Sequence, residues 1–104
     1  MPEEMGAEET MELGGNISLS GFSVLDRDSM VIVKKIVGNY TRKFSETGSF
    51  EKLHLRMKVV HGTEKYELHG MVVDKGKQYP SEITDRNLYF AIDRVFKKIE
   101  AMMK

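Results

Sequence analysis

The stretch FEKLHLRMKVV, residues 50–60, alternates apolar and polar side chains along its length. Successive side chains of a β-strand point to opposite faces, so this alternation predicts a strand with one buried and one open face. The face predicted to be buried carries Leu53, Leu55, Met57 and Val59. The open face carries His54, Arg56 and Lys58. This strand is the clearest of those that the sequence predicts.

The residues that follow predict two hairpins. Residues 61–64 form a turn, and residues 65–74 return as a second strand with alternating faces. This register pairs Lys58 with Glu67 and Arg56 with His69 across the two strands. Lys75-Gly76 is a tight hairpin signal, and residues 77–83 form a weaker strand. Pro80 cannot donate a backbone hydrogen bond, so this last strand is predicted at a sheet edge or with a bulge.

Two amphipathic helices and one further strand complete the pattern. Residues 16–22 alternate as a short strand. Asp26 or Asp28 offers a cap for a helix that runs to about Phe44, and Asp85 is the expected cap of the last helix. Apolar side chains recur at spacings of three and four in both helices. The two stripes comprise Met30, Val33, Ile36, Val37, Tyr40 and Phe44, then Leu88, Ala91, Ile92, Val95, Phe96, Ile99, Met102 and Met103.

The element order is therefore β-α-β-β-β-α. We predict an α+β fold, a two-layer sandwich in which both helices cover one face of a four-stranded, largely antiparallel sheet. Residues 16–104 form this single domain. Residues 1–15 are rich in Glu and Gly and show no apolar periodicity, so they are expected to be a disordered acidic tail.

Composition narrows the class of protein. The chain has 104 residues and no cysteine, which excludes disulfides, thiolate metal sites and cysteine nucleophiles. No stretch approaches the roughly 20 apolar residues of a membrane helix, and the acidic N-terminus is unlike a secretory signal. We expect a cytoplasmic protein with no membrane association.

The formal net charge of zero conceals a strong asymmetry. Five of the 16 acidic residues lie in residues 1–15, where there is no Lys or Arg, so the predicted domain has an excess of about five positive charges. Much of this excess falls in residues 34–58. Such a region suits a polyanionic partner, although a solvated charged surface has the same composition.

The stretch RNLYFAIDRVFKKIE, residues 86–100, identifies a candidate family. Leu88-Tyr89 with Ala91-Ile92-Asp93 and the ending Lys98-Ile99-Glu100 resemble the last helix of the ribosome hibernation-promoting factors. Those small proteins bind the small ribosomal subunit and stop translation. The resemblance implies the same β-α-β-β-β-α fold, similar to that of the double-stranded-RNA-binding domain, and a ribosomal or other structured-RNA partner.

That resemblance also implies which side chains bind RNA. Basic residues at the end of the first helix and on the strand 50–60 would contact phosphates, with His54 and His69 adding stacking or phosphate contacts. The predicted RNA-binding residues are Lys34, Lys35, Arg42, Lys43, His54, Arg56 and Lys58. Such contacts would position the protein without reading sequence.

The residues give little support for an enzyme, a metal site or a cofactor. His54, His61 and His69 do not follow a recognised ligand spacing. Asp93 is expected to pair with Lys97 one helical turn later, and there is neither a Ser-His-Asp pattern nor a Gly-rich phosphate loop. We therefore expect no enzymatic activity and no cofactor.

An alternative function uses the uncovered face of the sheet. Met71 and Val73 point away from the helices and, with Phe50 or Tyr79, would form an exposed apolar patch. The strand containing Pro80 would leave a free edge for a second chain. Under this hypothesis the protein is an interaction or homodimerisation module with no role in nucleic-acid binding.

Overall fold

The computed structural model describes residues 10–60, 62 and 64–103, which form a five-stranded sheet and two helices. The elements are β1 (Thr10–Glu12), β2 (Ile17–Ser20), α1 (Arg27–Ser45), β3 (Phe50–Val60), β4 (Lys65–Asp74), β5 (Lys77–Asp85) and α2 (Leu88–Met102). The strands lie in the order in which they occur in the chain. β2 and β3 are parallel and are connected by α1, whereas the other neighbouring strands are antiparallel.

The sheet has one strand more than the four that were predicted. Residues of β1 pair with β2, with Thr10 opposite Ser20 and Glu12 opposite Ser18. This strand lies within the segment interpreted as a disordered tail, of which residues 1–9 are outside the described residues. Sequence alternation could not reveal it, because a three-residue strand with Met11 as its one inward apolar side chain shows no period.

Both helices cover the same face of the sheet and enclose the core, as predicted. The central buried side chains are Leu19 and Phe22, Val33, Val37 and Phe44 of α1, Leu53, Leu55, Leu68 and Val72 of the sheet, and Ile92, Val95, Phe96 and Ile99 of α2. Val59 is the exception on the predicted inner face, because it is 43% exposed near the end of the β3–β4 hairpin. Within the described residues, neither helix has the length and apolar character needed to cross a membrane.

The packing of α2 against the sheet depends on a glycine. Gly70 of β4 faces α2, and a Cβ atom at this position would lie 3.3 Å from Cδ1 of Ile99 and 3.4 Å from Cγ1 of Val95. Gly70 therefore lets the helix approach the strand closely. The approach fixes the position of α2 over β4 and β5.

The start of α2 differs from the prediction by two residues. The cap is Asn87, whose side-chain oxygen accepts a hydrogen bond from the backbone N–H of Phe90 at 2.9 Å. Asp85 is still part of β5, where it lies opposite Tyr66, and its carboxylate accepts a hydrogen bond from the N–H of Asn87. Both residue types are good caps, and the end of the strand decides which of them is used.

Candidate nucleic-acid interface

The sheet separates the seven predicted RNA-binding residues into two groups. Lys34, Lys35, Arg42 and Lys43 are exposed on α1, in the helical layer. His54, Arg56 and Lys58 alternate with the buried residues of β3 and therefore lie on the open face of the sheet. One flat partner cannot contact both groups at once, so the two groups belong to two separate surfaces.

A groove between the two helices is lined by positively charged side chains from both of them. It has a volume of about 510 Å³ and is lined by Ile36, Asn39, Tyr40, Arg42, Lys43 and Glu46 of α1 with Asp93 and Lys97 of α2. Arg42 and Lys43 were predicted from the sequence to contact RNA, whereas Lys97 was not. Lys97 lies far from them along the chain, and only the packing of α2 beside α1 brings it to the same surface.

The polar groups of this groove are connected to one another. The Tyr40 hydroxyl donates a hydrogen bond to Oδ1 of Asp93 at 2.6 Å, and Nζ of Lys97 lies 3.5 Å from Oδ2 of the same carboxylate. The expected Asp93–Lys97 pair is thus confirmed. Burial, followed by the hydrogen bond and charge of Asp93, raises the pKa of Tyr40 well above its usual value. Both oxygens of the Asp93 carboxylate thus have a partner, Tyr40 at one and Lys97 at the other.

The remaining cations of the helical layer are accessible. Nζ of Lys43 lies 3.8 Å from Oε2 of Glu100 and 5.3 Å from the centre of the Tyr40 ring, with the lysine side chain 57% exposed. Lys34, Lys35 and Arg42 are exposed and form no ion pair with any other residue that the structure describes. An incoming anion could contact them without breaking an existing ion pair.

The open face of the sheet carries charges of both signs. Lys58 lies opposite Glu67 and Arg56 opposite His69, so both predicted cross-strand pairs are confirmed. Glu82 of β5 lies on the other side of His69. A hydrogen bond with His69, together with the charges of His69, Lys58 and Arg56, lowers the pKa of the Glu67 carboxyl group. Lys58 thus faces a carboxylate on its own sheet, and a second carboxylate lies beyond the His69 that Arg56 faces.

His54 contacts two serine side chains of β2. Its Nδ1 lies 2.7 Å from the Ser18 hydroxyl, and its Nε2 lies 3.5 Å from the Ser20 hydroxyl. Burial lowers the pKa of His54, and the charges of Arg56 and Lys52 lower it further. The neutral imidazole is therefore favoured, and His54 adds little positive charge to the open face.

The apolar patch expected on the open face is not formed. Val73 is 7% exposed and Met71 is half-buried. Phe50 and Tyr79 pack against the core on the side of the helices, because Tyr79 lies opposite the buried Val72. β5 does lie at the edge of the sheet, as the position of Pro80 predicted.

Comparison with known proteins gives a similarity at the level of structure. No protein-family model and no curated protein matches the sequence. Among solved structures, the chain is similar to the crystal structure of the Thermus thermophilus Protein Y N-terminal domain, with a TM-score of 0.59 and 20% sequence identity. The match covers 90% of this chain and 97% of the other. At this level of identity the likeness shows a shared α+β fold.

Proposed function

We propose that this protein is a non-enzymatic, ribosome-associated or structured-RNA-binding protein that contacts RNA phosphates through its helical layer. The observation that carries the proposal is the convergence of Arg42, Lys43 and Lys97 on one open groove between α1 and α2. Exposed Lys34 and Lys35 extend the positive surface along α1. Small ribosomal subunits are the proposed partner, and modulation of translation is the proposed consequence.

The physical chemistry of RNA supports this choice of surface. Lysine and arginine neutralise phosphates and release bound counterions, which gives an affinity that falls steeply with salt. Double-stranded RNA is recognised mainly through shape and through phosphate and 2′-hydroxyl contacts, which suits a row of flexible cations beside a groove. Because Lys34, Lys35 and Arg42 have no ionic partner in the described part of the chain, the protein loses no ion pair when they bind.

The open face of the sheet is less suited to phosphates. Glu67 lies opposite Lys58, and Glu82 lies beyond the His69 that faces Arg56. Both carboxylates would repel a polyanion, and His54 favours its neutral form. We therefore assign the main phosphate contacts to α1 and Lys97, and a minor part to Arg56 and Lys58. Ser18 and Ser20, whose hydroxyls contact His54, are uncharged and add no positive charge to that face.

The family resemblance supports the same function independently of charge. The motif of residues 86–100 resembles the last helix of the hibernation-promoting factors, and the observed order of helices and longer strands is the one that this resemblance implies. A ribosome partner implies action in the cytoplasm. Fold alone does not specify function, so the proposal depends on the basic groove together with the helix motif.

The direct test is co-sedimentation of the purified protein with small ribosomal subunits at low and raised salt. We expect stoichiometric binding at low salt that weakens steeply as salt is added. Absence of binding at low salt would contradict the proposal. Association that persists at raised salt, together with a dimer in solution, would favour the alternative in which the free edge of β5 pairs with a second chain.

A matched pair of charge reversals identifies the surface. We expect Lys35→Glu with Arg42→Glu to weaken binding strongly and to reduce the log–log salt slope by roughly one unit per lost phosphate contact. Arg56→Glu with Lys58→Glu changes the net charge equally on the opposite face and should have a much smaller effect. Circular dichroism spectra of the two variants would check that both of them fold. The opposite ranking of the two variants would move the interface to the sheet.

A further inference from the structure

We infer that Glu67, His69 and Glu82 form a binding site for a divalent transition-metal ion such as Zn²⁺ on the open face of the sheet. His69 lies directly opposite Glu82 across the β4–β5 ladder, and Glu67 precedes His69 by two residues on the same face. Imidazole and carboxylate are common ligands of zinc. This site goes beyond the proposed RNA-binding function and does not depend on it.

The geometry places a carboxylate at each nitrogen of the histidine ring. Nε2 lies 2.7 Å from Oε2 of Glu67, and Nδ1 lies 3.2 Å from Oε1 of Glu82. The three candidate ligand atoms all lie within 4.8 Å of one another. A metal-binding histidine usually donates its other ring N–H to a carboxylate, which fixes the tautomer and the orientation of the ring. Here one carboxylate can join the ring at the metal while the other accepts the N–H.

The paired strands hold the three residues in place, and solvent can reach their side chains. All three residues are on paired strands, and sites on strands are held more accurately than sites on loops. The side chains of Glu67, His69 and Glu82 are 34%, 40% and 70% exposed. Beside them, Met71 and Pro80 line a shallow depression of about 410 Å³ with His69 and Glu82. Water can therefore complete the coordination of a metal bound by two or three protein groups.

Two positively charged side chains lie next to the site. Removing their charges is a second test, in which metal binding should become stronger. Arg56 lies opposite His69, and Lys58 lies opposite Glu67. Their charges oppose the arrival of a cation and compete for Glu67, whose carboxyl pKa they help to lower. Replacing both by uncharged glutamine should therefore strengthen metal binding.

The experiment is a calorimetric titration of the full chain, without an affinity tag, with Zn²⁺ alone in a buffer that does not bind metals. NMR of the histidine ring signals reports which ring is the ligand. We expect one Zn²⁺ per chain and a selective shift of the His69 ring. His69→Ala should abolish binding, and Glu82→Gln should weaken it roughly tenfold or more. Arg56→Gln with Lys58→Gln should strengthen it.

The matched control is His54→Ala, which removes a histidine from the same face whose nitrogens contact serine hydroxyls. This variant should bind Zn²⁺ as the parent does. Absence of binding by the parent, or equal binding by the Glu82→Gln variant, would overturn the inference. Glu82 is 70% exposed, so its substitution keeps the test decisive even if His69→Ala does not fold. The titration contains no RNA, so its failure would leave the proposed function untouched.

Discussion

At the scale of single residues, Asp93 shows how tertiary contacts add to a role predicted from sequence. The sequence predicts that Asp93 pairs with Lys97 along the surface of α2, and the structure has this pair. The same carboxylate also accepts a hydrogen bond from Tyr40 of α1. Tyr40 is 6% exposed and packs against Phe44 and Phe96, with ring centres 6.0 Å and 5.4 Å away. Asp93 therefore connects the two helices beside the proposed RNA-binding groove.

We expect Tyr40→Phe to lower the free energy of unfolding by about 1–2 kcal/mol, because it removes a hydrogen bond to a charged group while keeping the ring. The loss should also depend on pH. The pKa of Tyr40 is raised above its ordinary value of 10.0 by burial and then by Asp93. Its contribution to stability is therefore complete below about pH 10 and is lost as pH rises toward the higher pKa of the folded state.

Urea denaturation of the parent and of Tyr40→Phe between pH 7 and pH 11 measures both effects. The parent should lose stability above pH 10 more steeply than the variant, which has no hydroxyl to titrate. Tyr79→Phe is the matched control, since Tyr79 is half-buried and its hydroxyl makes no hydrogen bond with the residues that the structure describes. Identical pH slopes for the parent and Tyr40→Phe would show that the hydrogen bond with Asp93 does not stabilise the fold.

At the scale of secondary-structure elements, two glycines have opposite roles. Gly38 lies in the middle of α1, exposed, with no heavy atom within 4 Å of the position of an added Cβ. Gly21 follows β2 with a φ of +80°, and a Cβ there would collide with the carbonyl oxygen of Met57. Helix α1 therefore tolerates a side chain at its glycine, whereas the exit from β2 does not.

Alanine substitutions at the two glycines should consequently change stability in opposite directions. Gly38→Ala should stabilise the protein by roughly 0.5–1 kcal/mol, because glycine costs more conformational entropy than alanine in a helix. Gly21→Ala should destabilise it by more than about 2 kcal/mol, because backbone strain and a collision with backbone add together. Thermal unfolding of both variants measures the difference. A neutral Gly21→Ala would mean that the β2–α1 connection adapts easily.

At the scale of the whole molecule, stability is distributed unevenly across the sheet. β3 and β4 are long, pair with each other along most of their lengths, and have a further strand on either side. β1 has three residues and pairs with β2 alone, at an edge of the described sheet. The core lies between the two helices on one side and the strands β2, β3 and β4 on the other. Together these helices and strands contribute most of the fully buried side chains.

Hydrogen exchange followed by NMR should reproduce this order. We expect the paired amides of β3 and β4 to exchange most slowly, close to the rate set by global unfolding, and those of β1 to exchange fastest among the strands. Amides of β5 should lie between these limits, because that strand is longer but is also at an edge. Exchange of Met11 as slow as that of Leu55 would mean that β1 belongs to the cooperative core.

Much of the fold was predictable because its signals are local. The bounds of β3 and β4 and the pairing of Lys58 with Glu67 follow from alternation and one hairpin turn. The apolar stripes of both helices are equally local, since they depend on spacings of three and four residues. In contrast, β1 was missed and the cap of α2 was assigned to Asp85 instead of Asn87, because neighbouring strands decide where short elements begin and end.

The candidate sites were predictable only in part. Composition and alternation identified the basic residues, and they placed Arg56 and Lys58 on the open face of β3. The tertiary structure separated these from the cations of α1, brought Lys97 to Arg42 and Lys43, and placed Glu82 beside His69. The physical reason is range: the period of a strand or helix determines which face a side chain occupies, whereas the packing of distant elements determines which side chains share that face.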